Sequence, residues 1–132
     1  MTDTRSVVEA FFGFRAKNDI DGLLTLIADD ADFHAFGDPG IPWLGSYTGP
    51  SGAAEFFGLL FKGITDTGTE VDAMLVDGEE AAVFGRVRVN VNAVDKPYES
   101  PFALRLTVRD GKIVRHHVFE DSYGLHEVWR RG

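Results

Sequence analysis

Near residue 64 the spacing of apolar residues changes, and that change limits what this chain can fold into. Before Gly63 the apolar side chains recur every three or four positions: Val7, Val8 and Phe11, then Ile20, Leu23, Leu24 and Ile27, then Ala54, Phe57, Leu60 and Phe61. That spacing gathers them on one face of a helix. After Gly63 the period is two. Residues 70–76 alternate, and 81–94 set Val87, Val89 and Val91 against Arg86, Arg88, Asn90 and Asn92. Further strands follow at 102–108 and 112–120. Asp77-Gly78 and Asp110-Gly111 are tight-turn dipeptides, and such turns join antiparallel neighbours. The pattern predicts an α+β domain: N-terminal helices, three in number, packed in a strongly curved antiparallel sheet. A strand as long as 81–94 bends around a helix, and the resulting cone-shaped roll leaves an internal pocket at its open end. With no repeat, low-complexity tract or linker, residues 1–132 read as one domain.

Local signals punctuate this pattern. Ser6-Val7-Val8-Glu9 has the form of a capping box. Asn18-Asp19 separates the first helix from the second, which runs through Ile27 and ends at Asp29-Asp30. Residues 32–36 form a short strand. Between 37 and 50, four Gly and three Pro exclude regular structure, yet Trp43, Leu44 and Tyr47 are too apolar for a solvated linker. The segment reads as a rim or lid. Ser51 caps the third helix. Residues 122–130 form a short helix or a tail.

Composition narrows the partners. A net charge of -8 repels phosphate backbones and anionic lipid, so neither nucleic acid nor membrane is expected. Eleven phenylalanines suggest a core or pocket lined with flat, bulky groups. The absence of cysteine removes disulfides, thiolate nucleophiles and iron–sulfur clusters. Met1-Thr2-Asp3-Thr4-Arg5 lacks the order of a secretory leader, and the expected location is cytoplasmic.

Several segments also carry a family likeness: Asn18-Asp19-Ile20-Asp21-Gly22, Ala28-Asp29-Asp30-Ala31, the stretch 42–50, Val108 to Val114, and Phe119-Glu120-Asp121. In this order and spacing the chain resembles the nuclear-transport-factor-2-like superfamily, in its SnoaL-like and ketosteroid-isomerase-like branch. The resemblance spans about residue 5 to 128 and implies the cone-shaped, cystatin-like roll more firmly than any reaction. A steroid isomerase of this branch uses a carboxylate base and, as oxyanion donors, a tyrosine and a neutral carboxylic acid. The corresponding positions here fall on Ala35, Phe11 and Leu104 (or Ala103), which lack those groups. The last-strand carboxylate of SnoaL-like cyclases falls on Val118. Typical steroid isomerisation is therefore not expected.

His116 and Glu120 lie on the same side of the last strand as Val118, because side chains alternate along a strand. They, with Asp38 of the rim and His34, are the candidate proton-transfer groups. His116 and Glu120 are too far apart on one strand to touch directly, and His117 faces away from His116. Trp43, Tyr47, Phe11, Leu104 and Val118 are candidate ligand contacts. Arg88 is a candidate anchor for an anionic group if it points inward; if the valines face the core, Arg86 and Arg88 face solvent or a partner subunit. Two histidines and one glutamate on separate strands make a poor metal site, so no metal and no cofactor are expected. Two functions fit: acid–base catalysis on a small apolar organic molecule, or a non-catalytic ligand-binding or protein-interaction module that kept the pocket and lost the chemistry. The resemblance also implies a homodimer formed through the outer sheet faces.

Overall fold

The structure is a computed structural model that describes residues 3–131. Met1 and Thr2 of the N-terminal stretch, and Gly132 at the end of the expected domain, lie outside the described residues. Helix α1 (Thr4–Ala16) starts one turn earlier than a Ser6 cap requires. Asp3 is the cap instead, its carboxylate accepting from the Ser6 backbone N–H at 2.7 Å. Helix α2 (Ile20–Leu24) is capped by Asp19 and stops short of the expected Ile27. Ile27 opens strand β1 (Ile27–Ala35), because it pairs with Ile113 of the last strand. Asp29 and Asp30 fall where the register of that pairing shifts.

The Gly- and Pro-rich stretch is more regular than its composition suggests. Its last part is strand β2 (Gly45–Thr48), antiparallel to β1. Helix α3 (Gly49–Gly63) follows at once, with Pro50 in its first turn and no side-chain cap, so Ser51 lies inside the helix. Pro is well placed there because the first helical N–H groups have no partner within the helix. Gly49 has φ +68°, and a Cβ at this position would run into the Asp29 carbonyl oxygen.

Strands β3 (Ile64–Asp66), β4 (Glu70–Asp77), β5 (Glu80–Val91), β6 (Lys96–Arg109) and β7 (Lys112–Phe119) follow. Helix α4 (Ser122–Arg130), capped by Asp121, completes the chain as a fourth helix. The seven strands form one sheet in the order β2-β1-β7-β6-β5-β3, with β4 pairing along the first part of β5. Every pairing is antiparallel except β1 with β7. That exception follows from connectivity: no hairpin joins β1 to β7, so nothing forces them to oppose. Strand β6 is longer than expected and carries Pro97 and Pro101.

The inner face of the curved sheet packs on α1 and α3. Val7, Val8 and Phe11 of α1 and Phe56 and Phe57 of α3 are buried against Val83, Leu104, Leu106 and Ile113. Alternation along β5 resolves the arginine phase: Val87 and Val89 face inward, and Arg88 lies on the outer face. There its guanidinium meets Glu70 of β4 at 3.1 Å and Glu99 of β6 at 3.3 Å. Arg88 is therefore no anchor for a ligand inside the roll.

Strand β4 crosses β5 closely where the β4 register shifts between Val71 and Ala73. At this crossing β5 carries Gly85. A Cβ there would run into the Glu70 carbonyl oxygen and the Phe102 ring. Gly85→Ala should cost about 2–3 kcal/mol, the scale of overpacking a tight core, seen as a lower urea midpoint. An unchanged midpoint would show that the crossing has slack.

Candidate functional site

The roll encloses a cavity of about 570 Å³. Most of its wall is apolar: Phe11 of α1, Phe56 and Leu60 of α3, Leu104 of β6, Val118 of β7, and Trp43 from the segment between β1 and β2. Phe11, Ala35, Leu104 and Val118, the four positions where the family resemblance calls for polar groups, all line it. The cavity is thus apolar at each of those positions. Its polar groups come from elsewhere.

His116 lies on the β7 part of the wall and is only 5% exposed. Its imidazole stacks on Phe33 with ring centres 4.6 Å apart and planes 13° apart, while Phe11, Phe56 and Phe57 approach at 5.6, 5.7 and 6.1 Å. Burial pushes its pKa down to about 3, and the Arg15 and His117 charges act in the same direction. The ring is neutral at any ordinary pH. It offers hydrogen bonds to a ligand but has little basicity.

Glu120 follows directly after β7 and lines the same cavity. Its carboxyl accepts a hydrogen bond from the Tyr98 hydroxyl at 3.1 Å. Burial raises its pKa; the Tyr98 bond and the Arg15 charge oppose that shift without cancelling it. Tyr98 is itself pushed up, first by burial and then by the Glu120 charge. The position of Glu120 is set by the two inward residues at the start of β6. The Tyr98 hydroxyl also reaches the Asp121 carbonyl oxygen at 3.0 Å, and the buried Ser100 hydroxyl accepts from the Asp121 N–H at 2.9 Å. This clamps the turn from β7 into α4. No hydrogen bond joins His116 to Glu120 among the described residues.

Arg15 also lines the cavity. Its guanidinium lies 5.3 Å from the ring centre of Phe61 and 6.0 Å from that of Phe57. Burial lowers its pKa, while the Asp66 and Glu120 charges raise it. Sequence reasoning missed both Arg15 and Tyr98 as site residues. The signal for Arg15 was present: Val7, Phe11 and Arg15 step by four along α1, which puts the arginine on the buried stripe. Tyr98 was hidden because the prolines of β6 led to a strand beginning at Phe102.

Besides Arg88, three expected site residues do not line the cavity. His34 lies between the inward Phe33 and Ala35, so it points to the outer face, where Nδ1 is 2.6 Å from the Ser46 hydroxyl. Asp38 is held by its own turn and by α4, with the Gly40 N–H at 2.8 Å and His126 Nδ1 at 2.7 Å. Those two partners keep its carboxyl below the usual range. Tyr47 donates to the Trp43 carbonyl oxygen at 3.0 Å and packs its ring on Phe56 from behind. Trp43 does line the cavity and meets Trp129 of α4 edge-on at 5.9 Å. The rim segment is thus fastened to α4. Among the described residues no three His, Asp or Glu side chains are grouped to share a metal ion, and no helix is long and apolar enough to cross a membrane.

The buried imidazole has a consequence for stability. An unfolded chain protonates His116 near pH 6.5, whereas the folded chain resists until about pH 3. Stability from this group is complete above pH 6.5 and declines as pH falls, by about 1.4 kcal/mol per unit. Glu120 has the opposite sign, since its raised folded pKa weakens the fold as pH rises. Replacing the imidazole with a ring of similar size isolates the histidine contribution. Between pH 7 and pH 5, wild type should lose about 2 kcal/mol more urea stability than His116→Phe. Equal losses would place the imidazole in contact with water.

Comparison with known proteins follows the same outline. Residues 8–116 match the family model described as the SnoaL-like domain. No curated protein sequence matches the chain. Among solved structures, an NTF2-like protein from Burkholderia xenovorans superposes with a TM-score of 0.87 at 22% identity, covering 97% of this chain and 98% of that one. TerC, co-crystallised with polyporic acid, gives 0.84 at 21% identity over 98% and 99% of the two chains. A candidate SnoaL-like polyketide cyclase from Mesorhizobium loti gives 0.73 at 18% identity over 90% and 99%. At these identities the structures show a shared fold. With four-fifths of its length matched by the family model, the chain belongs to the SnoaL-like domain family.

Proposed function

We propose that this SnoaL-like protein binds a small, mainly apolar organic molecule in its cavity and moves a proton on it without a cofactor, in the cytosol. Glu120 is the group that takes or gives the proton. The observation that carries this reading is a carboxyl on the wall of an apolar cavity, oriented by Tyr98, whose ionisation burial opposes. A general acid or base works best when its pKa approaches the working pH, and a raised carboxyl pKa moves in that direction. The carboxylate accepts a proton from carbon or oxygen of the ligand, and the carboxylic acid returns it elsewhere on the molecule. That is isomerase- or cyclase-type chemistry. His116, kept neutral, supplies a hydrogen bond that orients the ligand. The ligand of TerC and the candidate cyclase among the structural relatives support an organic molecule as occupant.

One observation favours a second reading. Phe11, Ala35, Leu104 and Val118 leave the cavity apolar at every position where the resemblance calls for a catalytic group, as in a binding module that has lost its chemistry. Deuterium exchange separates the two. Enolisable bicyclic ketones such as 2-tetralone, incubated with the protein in deuterium oxide, should exchange their α-protons faster than in buffer. Glu120→Gln keeps the hydrogen bond to Tyr98 but should lower the rate about 10²–10⁴-fold. Binding of such ketones with no exchange above buffer would assign the chain to the non-catalytic reading.

A homodimer through the outer face of the sheet is part of the same proposal. Phe84 of β5, Ala103 of β6 and Phe119 of β7 lie side by side in register, and Phe36 stacks on Phe119 at 4.8 Å. The three phenylalanines are each more than 40% exposed, an apolar row that a second copy would cover. Light scattering should give twice the chain mass at micromolar concentration, and Phe84→Asp with Phe119→Asp should give the monomer. A wild-type monomer would refute this pairing.

A further inference from the structure

Arg15 is the one arginine or lysine among the residues lining the cavity. Among the described residues its guanidinium has no hydrogen bond and no carboxylate oxygen within 4 Å, although burial disfavours its charge. A guanidinium carries five N–H donors, and those of Arg15 keep contact with solvent on the cavity side, where a ligand can reach them. Its neighbours do not occupy those donors. Phe61 and Phe57 lie beside it at 5.3 and 6.0 Å and offer only ring contacts. The Asp66 carboxylate is committed to its own turn, accepting from the Gly68 and Thr69 N–H groups at 3.0 and 2.9 Å. Glu120 accepts from Tyr98, and burial favours its neutral form.

We infer that the ligand is a planar, mainly apolar organic acid whose carboxylate or ionised enol oxygen docks on Arg15, with its apolar body among Phe11, Phe56, Trp43 and Leu104. This rests on the cavity being the binding site and adds the class of molecule it takes. A planar fork of N–H donors matches a two-oxygen anion better than a single neutral carbonyl. The aromatic wall would receive a flat ring body, since rings pack favourably edge-on or offset against other rings. Arg15 then serves as the specificity residue. It selects acids from neutral compounds of the same shape and places the acid group beside Glu120.

Calorimetric titration with 2-naphthoate and its neutral analogue 2-naphthamide tests this. Wild type should bind the naphthoate about ten- to a hundredfold more tightly, the range of a charge-assisted hydrogen-bonded pair. Arg15→Met keeps most of the stem and removes the charge; it should abolish that preference. Arg15→Lys keeps a charge without the fork and should retain only part of the preference. Circular dichroism confirms folding, and if the methionine variant fails to fold, wild type and the lysine variant decide. Equal wild-type affinities, or a preference that survives Arg15→Met, would overturn the role of Arg15 and leave the cavity reading standing. Binding of neither compound up to about 10 mM, below which even millimolar affinities register, would overturn the cavity reading and this inference together.

Discussion

Four phenylalanines from three elements converge on one histidine, and the roll depends on that contact. Phe11 comes from α1, Phe33 from β1, and Phe56 and Phe57 from α3, while His116 comes from β7. Phe33 also meets Phe56 and Phe57 at 6.0 and 5.9 Å. Aromatic pairs of this kind contribute about 0.5–1.5 kcal/mol each beyond the area they bury. Together they lock both long helices to the strand that leads into Glu120. The cluster is at once the centre of the core and part of the cavity wall, so fold and site share one piece of packing.

Placing an imidazole there is consistent with neutrality and costly for charge. A buried cation without a counter-charge is disfavoured, so the ring holds its neutral form and contributes shape and hydrogen-bonding capacity. Glu120 follows the same physics with the opposite sign of charge. Burial favours the protonated acid, and the partner that accompanies it is a phenol rather than a cation. Positive charge in the cavity therefore rests on Arg15, the one arginine or lysine among its lining residues.

Alternation divides the sheet into two surfaces with separate chemistry. Inward residues of β5, β6 and β7 make the core and cavity. Outward residues carry the ion pairs of Arg88, Arg105 and Arg109 and the His117–Asp32 contact at 2.9 Å. These exposed pairs add little stability individually. They use up most of the outward charge of the central strands and leave Phe84, Ala103 and Phe119 as an apolar row between them. His34 belongs to this outer surface, which is why it fails as a partner for His116.

By itself the sequence determined the α+β order, the curved sheet and the placement of His116 and Glu120 on one side of the last strand. Each is a matter of local period, and local period survives any tertiary arrangement. Three features depended on contacts distant in the chain: the parallel pairing of β1 with β7, the strand and helix start hidden in the Gly- and Pro-rich segment, and the length of β6. Composition could not reveal them because partner strands supply the hydrogen bonds that overrule local propensity. The site divides in the same way. Which residues share a strand face was legible, whereas the joining of Glu120 to Tyr98, 22 residues apart, and its approach to Arg15 were not. Only the closed roll brings β6, β7 and α1 together around one cavity, and only burial there shifts the ionisation of their side chains away from ordinary values.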